Sequence, residues 1–260
     1  MNIQVNFNSM KITLIGSGWL GLPLGISLIE KDYDVFGSAQ SPEKVESLTN
    51  LEINGFLYSE DNIANIPSEA KHSDILIINF PPSKSADYSQ QIRVLIEQFS
   101  ADTKVIFTSS TSVYKDVDGL IDENGELNET HPVSLAEQSV INSNHAYCIF
   151  RLAGLIDENR HPIKFLSGRE TQNALGKVNL VHRIDVISAI EAQLGSTKWN
   201  TVYNVCSPEH PTRIDYYAQC AQLKGLTLPI FSSQGTSGKE ISSQKLIESL
   251  GFQFTQSIFF

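Results

Sequence analysis

Apolar residues in this chain cluster in short runs, and helical periodicity occupies most of the intervals between them. The runs Ile12–Ile15, Tyr33–Phe36, Ile75–Phe80, Val105–Phe107, Ala146–Leu152 and Val202–Val205 read as strands. Helices are expected over Trp19–Glu30, Pro42–Thr49, Ala86–Phe99, Pro132–Asn144, Ile184–Gln193 and Arg213–Leu223. A strand that is apolar at every position, rather than at alternate ones, is buried on both faces. Such strands alternating with helices predict an α/β fold, a doubly wound parallel sheet whose ligands lie outside the carboxyl ends of its strands. The polar segment Asp116–His131 reads as a surface excursion and Ser232–Lys239 as a flexible loop.

The first strand runs directly into a glycine pattern. In KITLIGSGWLG, Lys11–Gly21, the residues Gly16, Gly18 and Gly21 form G-x-G-x-x-G between a strand and a helix. In a Rossmann turn the first glycine permits the tight bend, the second lets the backbone approach a pyrophosphate, and the third lets helix pack on strand. The amides around Ser17, Trp19 and Leu20 would then face the anion. Phe80, Pro81, Pro82 and Ser109, at or just past strand ends, join them as cofactor-binding candidates.

The second strand bears on which dinucleotide is bound. An acidic residue there would bond the ribose 2′-hydroxyl of NAD, but the chain reads Gly37, Ser38, Ala39, Gln40, Ser41. Ser38, Gln40, Ser41 and Lys44 offer hydrogen bonds and one positive charge to a 2′-phosphate, so the expectation is NADP, with NAD as the alternative. The arginine that usually makes this contact is missing. Ser41 and Pro42 also form a helix start, with serine as cap and proline in the first turn.

Composition narrows the partners. Nineteen Lys and Arg against 29 Asp and Glu leave a net charge of −10, with a pI near 5.0 and no dense basic cluster. That argues against nucleic acid or an anionic membrane as the main partner. Cys148, Cys206 and Cys220 are too scattered for a disulfide framework or a C-x-x-C metal site and read as reduced thiols, which fits a cytoplasmic setting. No H-E-x-x-H, Walker sequence or clustered His/Cys set points to a metal. The opening MNIQVNFNSM lacks a signal-peptide pattern; residues 1–10 are expected to be a tail, and Met10 is an alternative start. Ile12–Ile29 carries no formal charge, but four glycines, Pro23 and two serines interrupt it, so it reads as strand, turn and helix rather than a membrane span.

Four further motifs carry a resemblance. VIFTSSTSVY (Val105–Tyr114), RLAGLIDENRHP (Arg151–Pro162), VNLVHRIDVISAI (Val178–Ile190) and YNVCSPEHPT (Tyr203–Thr212) are similar, in order, to segments of the extended short-chain dehydrogenases and reductases, including sugar-nucleotide epimerases. The resemblance implies Ser110 at the catalytic serine or threonine position and Tyr114 beside the substrate pocket, and these two are the catalytic candidates. It also implies Ser112, Arg160, His182 and Arg183 as substrate-binding positions. Each has a structural alternative: Ser109–Ser112 could satisfy strand-end backbone groups, and Arg160 could pair with Asp157 or Glu158. Asp185 is expected to cap or position the following helix.

The largest departure from that family is the missing Tyr-x-x-x-Lys, since none of the eight tyrosines has a lysine four positions on. Tyr147 and Arg151 share the spacing but lie on a strand. The pattern resembles the atypical branch of the superfamily, which keeps the dinucleotide fold without the catalytic pair. It implies an NAD(P)-dependent oxidoreductase or epimerase/dehydratase-like enzyme for a small carbonyl or sugar-nucleotide-like substrate; the alternative is a catalytically silent dinucleotide-binding sensor. The turn GSGWLGLPLG also resembles sugar-nucleotide 6-dehydrogenases, but those are much longer and need a nucleophilic cysteine in a Gly-rich context that this chain lacks.

The expected organisation is a dinucleotide-binding domain from residues 11–153 and 178–207, with a small substrate-binding lobe from 154–177 and 208–260. A helix ending near Leu250 should stop at Gly251, and apolar Ile258, Phe259 and Phe260 should dock on the lobe or on a second subunit in a homodimer.

Overall fold

The computed structural model describes residues 9–59, 66–82 and 87–260. Residues 1–8 of the expected tail and Ala86, the expected start of one helix, lie outside them. The fold is the predicted doubly wound α/β sheet of seven strands. In chain order its strands are β1 (Lys11–Ile15), β2 (Asp34–Ala39), β3 (Asn54–Leu57), β4 (Ile75–Ile78), β5 (Lys104–Ser110), β7 (Tyr147–Leu152) and β11 (Thr201–Val205). Their order in the sheet is β11-β7-β5-β4-β1-β2-β3, so the direction of winding reverses between β1 and β4, where such sheets open a ligand crevice.

Two compact units divide the chain. The first holds the described residues up to Thr108 together with Pro132–Cys148, and the second holds Ser109–His131 and Ile149–Phe260. This grouping puts most of β7 and all of β11 with the C-terminal segments, whereas the sequence reading put them with the dinucleotide-binding domain.

In the first unit, β3, β2, β1, β4 and β5 pair in parallel. All four residues of β4 are buried, as are Ile12, Thr13, Leu14 and Ile15 of β1. Thr13 is tolerated there because its hydroxyl donates to the Ala70 carbonyl at 3.0 Å and lies 2.7 Å from Ser73 Oγ. The helices are α1 (Gly21–Ile29), α2 (Pro42–Thr49), α3 (Ser68–Lys71), α4 (Tyr88–Ile96) and α5 (Pro132–Ile141). Ser41 caps α2 by accepting the Lys44 amide, with Pro42 in the first turn.

The strand β3 escapes the hydropathy pattern. Its NGFL buries only Phe56 fully. It is held instead by parallel pairing with Phe36–Ala39 and by Asn54 Nδ2 donating to Asp34 Oδ1 at 2.9 Å. The expected strand Ile75–Phe80 ends at Ile78, although the Asn79 amide still donates to the Ile15 carbonyl of β1 at 2.8 Å.

In the second unit, the expected excursion 116–131 contains β6 (Gly119–Ile121), which pairs in parallel with β13 (Lys239–Ile241). The strands β8 (Gly154–Ile156) and β10 (Leu180–His182) also pair in parallel, as do β9 (Glu170–Thr171) and β12 (Ile230–Phe231). The helices are α6 (Ile163–Leu166), α7 (Arg183–Leu194), α8 (Arg213–Lys224) and α9 (Gln244–Leu250). Gly251, at φ +62°, ends α9 as the sequence indicated.

The C-terminal residues dock on their own unit. Ile258 is fully buried with Ile156, Ile163, Val178 and Tyr216, and Phe259 and Phe260 pack against that cluster. Among the described residues no helix is long and apolar enough to cross a membrane.

Candidate functional site

The first unit carries a cavity of about 770 Å³ at the carboxyl ends of β1, β2 and β4. Its floor is the glycine turn. Gly16 has φ +106°, and a Cβ there would run into the Asn79 carbonyl. A Cβ on Gly21 would strike the Gly16 carbonyl, so these two positions are closed by backbone. At Gly18 a Cβ would meet nothing within 4 Å, and Gly18 lines the cavity with Gly16, Ser17 and Trp19. The following α1 begins without a side-chain cap; its Leu22 amide donates to the Gly18 carbonyl at 2.9 Å and Pro23 brings no N–H.

Side chains from neighbouring strands hold this turn. Ser38 is buried and its Oγ accepts the Gly16 amide at 2.8 Å, so its hydroxyl serves the turn directly. Asn79 takes its amide hydrogen to the Ile15 carbonyl at 2.8 Å and donates from Nδ2 to the Gly16 carbonyl at 3.2 Å. Thr108 in turn donates to Asn79 Oδ1 at 3.1 Å. The sequence reading missed Asn79; its signal was a lone amide at the end of the apolar run ILIINF.

Beyond the turn, the cavity is lined by Ser38, Gln40 and Lys44, and by Phe80, Pro81 and Pro82. The adjoining Leu48, Leu51, Tyr58 and Gln91 were not foreseen. Phe80 is fixed edge-on against Tyr88, with ring centroids 5.6 Å apart, and its carbonyl accepts the Tyr88 hydroxyl at 2.6 Å. Burial pushes the Tyr88 phenol well above its ordinary pKa, so it stays a donor at any physiological pH. Among the described lining residues there is no carboxylate, and Lys44 is the one cation. Leu20, Gly21 and Ser41 do not line the cavity: Leu20 is core, Gly21 packs helix on strand, and Ser41 caps α2.

In the second unit Ser109 is buried at the end of β5, and Ser110 Oγ accepts the Ser112 amide at 3.1 Å, opening the short 3-10 turn Thr111–Val113. Ser112 is exposed. Tyr114 is only 2% exposed. Its hydroxyl donates to Asn204 Oδ1 at 2.7 Å and accepts from Arg151 Nη1 at 2.9 Å. Burial raises the Tyr114 phenol above its ordinary range, against the opposing pull of the Arg151 guanidinium. Asn204 also takes its amide to Glu123 Oε1 at 2.7 Å, which ties the 109–131 segment to β11.

The remaining three candidates gather around one turn. Buried Asp157 accepts the Asn159 and Arg160 amides on Oδ1 and pairs through Oδ2 with Arg183 Nη2 at 3.1 Å. Asp157 thus has Arg183 as an ion-pair partner, and the Arg160 side chain is exposed. His182 is buried, its Nδ1 accepts the Ile184 amide at 3.3 Å as the cap of α7, and its Nε2 lies 3.5 Å from Glu158 Oε1. The cap expected of Asp185 is thus His182. Asp185, in the first turn, instead accepts the Thr255 amide and hydroxyl, both at 2.9 Å, and the Gln256 amide at 3.2 Å, anchoring the C-terminal segment.

Comparison with known proteins fits this geometry. Protein YeeZ of Escherichia coli strain K12 is 33% identical over 261 residues, covering 94% of this chain and 95% of that protein. The chain belongs to the YeeZ family. No family model matches it. Among solved structures, this YeeZ-family chain is similar to a functionally unknown conserved protein from Silicibacter pomeroyi, with a TM-score of 0.77, 24% identity and coverage of 94% and 93% of the two chains. A short-chain dehydrogenase/reductase superfamily protein from Agrobacterium tumefaciens with bound NAD has a TM-score of 0.76 at 15% identity, covering 95% and 93%. The UDP-glucuronic acid 4-epimerase of Bacillus cereus, in complex with NAD, has a TM-score of 0.74 at 18% identity, covering 96% and 95%. The fold is that of the short-chain dehydrogenase/reductase superfamily.

Proposed function

We propose that this protein binds a nicotinamide adenine dinucleotide in the first-unit cavity and is an oxidoreductase or epimerase/dehydratase-like enzyme for a small carbonyl or sugar-nucleotide-like substrate. The observation that carries the reading is the division of labour in the glycine turn. Gly16 and Gly21 are closed by backbone, whereas Gly18 alone of the three faces open space in the cavity. That is the shape a pyrophosphate needs. When bound, the dinucleotide would supply the hydride chemistry; this chain's residues bind and orient it. Solved structures of the same fold contain NAD, and one is an epimerase.

Thermal unfolding of the dialysed protein with NADP, NADPH, NAD and NADH tests this. A nucleotide that binds only the native state at about 100 times its dissociation constant should add about 2.7 kcal/mol. No shift with any of the four would remove the reading.

The cofactor preferred is NADP, because the cavity beside β2 presents Gln40 and Lys44 and no described carboxylate. Lys44→Ala should weaken NADP about tenfold, equivalent to about 1.4 kcal/mol, and leave NAD unchanged. Fluorescence titration of both nucleotides decides this.

In the second unit, Ser110 is the group offered to the reacting oxygen. Tyr114 is assigned to bracing rather than proton transfer, since its phenol is buried between Arg151 and Asn204. Arg160, His182 and Arg183 form the edge that would meet a phosphate-bearing or sugar substrate, with Arg183 and His182 positioned by Asp157 and Glu158.

A further inference from the structure

Two residues that line the first-unit cavity each carry a polar atom buried without any hydrogen-bond partner among the described residues, Oε1 of Gln91 and Oγ of Ser17. Gln91 is the more telling, because the whole residue is 8% exposed. It projects from α4, whose other buried positions Tyr88, Ile92, Leu95 and Ile96 are aromatic or aliphatic. A primary amide in that row costs stability unless something bonds it, and an aliphatic residue of similar size would avoid the cost.

We infer that Gln91 is a specificity residue that hydrogen-bonds the adenine base of the bound dinucleotide. The inference rests on the cofactor reading above and adds what the far end of the cavity recognises. The lining residues all belong to β1, β2, β3, β4 and the helices or turns after them, the half of a doubly wound sheet that holds one mononucleotide. The glycine turn and the end of β2 take phosphate and ribose in such a fold, which leaves the base to the remaining walls, where Leu48, Tyr58 and Phe80 supply apolar and aromatic faces. A carboxamide matches an adenine edge because it offers one donor and one acceptor against the purine's own pair. Neither ribose nor phosphate presents that combination in one plane.

The test compares Gln91→Leu with the unaltered protein, using ADP-ribose and nicotinamide mononucleotide as separate halves of the cofactor. Without ligand, the variant should unfold at the same temperature or higher, since it removes an unsatisfied buried amide. Its dissociation constant for ADP-ribose should rise about tenfold or more, with nicotinamide mononucleotide binding unchanged. A purely structural glutamine would lower the unliganded melting temperature, and that outcome overturns the inference. Unchanged ADP-ribose affinity in the variant overturns it too, while the cofactor reading survives. Failure of the unaltered protein to bind ADP-ribose or any intact dinucleotide would instead sink the cofactor reading itself. Gln91→Glu is a second check: it keeps the size but replaces the amide's donor with a second acceptor, and ADP-ribose should weaken again.

Discussion

Gly16→Ala should destabilise the protein by about 4 kcal/mol, whereas Gly18→Ala, two residues away, should change stability by less than about 0.5 kcal/mol and still weaken dinucleotide binding at least about tenfold. At Gly16 the cost has two parts. A side chain at φ +106° is strained by about 1–3 kcal/mol, and its Cβ would overlap the Asn79 carbonyl, adding about 1–3 kcal/mol of overpacking. The Asn79 backbone cannot move aside freely, because its amide and side chain are both bonded to β1 and the turn. At Gly18 no protein atom lies within 4 Å, so only a ligand would meet the added methyl. Denaturant unfolding and nucleotide titration of the two variants measure both halves. Equal destabilisation at both positions, or unchanged binding in Gly18→Ala, would contradict the division of labour described for this turn.

Acid should destabilise the second unit through His161, by about 3 kcal/mol at pH 4 relative to pH 7. The imidazole is fully buried, stacked on Tyr216 and edge-on to Phe260. Its Nδ1 accepts the Ile163 amide at 3.3 Å, and Nε2 lies 2.9 Å from the Tyr216 hydroxyl, which donates to the Ile258 carbonyl at 3.0 Å. This chain of bonds needs the neutral ring. Burial, with the positive charge of Lys224 beside it, lowers the His161 pKa to about 4. The unfolded chain takes up this proton near the ordinary value of about 6.5. Between the two values the unfolded state holds more protons than the folded one, so the contribution is intact above pH 6.5 and lost as pH falls toward 4. In His161→Gln this part of the acid slope should vanish, at some cost in stability at pH 7. An unaltered slope in the variant would place the acid sensitivity elsewhere.

Local signals were legible in the chain because their causes are local. The apolar runs at Ile12–Ile15 and Ile75–Ile78 report burial on both faces of a strand. The glycine spacing, the Ser41 cap and the Gly251 stop each depend on backbone within a few residues. The edge strand β3 was invisible for the opposite reason. It gains its place from hydrogen bonds to β2, which hydropathy does not record, and it buries too little apolar surface to announce itself.

The same distinction separates the site residues. That Gly16, Gly18 and Gly21 form one turn, and that Lys44 and Gln40 follow the second strand, is written in the order of the chain. What only the tertiary structure decided is which side chains were already engaged. Tyr114 finds Asn204 ninety positions away, Asp157 finds Arg183, and Asp185 finds Thr255. It likewise decided which polar groups were left open, above all Gln91 in the row of apolar residues on α4. A residue type states what a side chain can bond; whether a partner already occupies it depends on contacts between distant segments, which burial and packing settle only when the chain has folded.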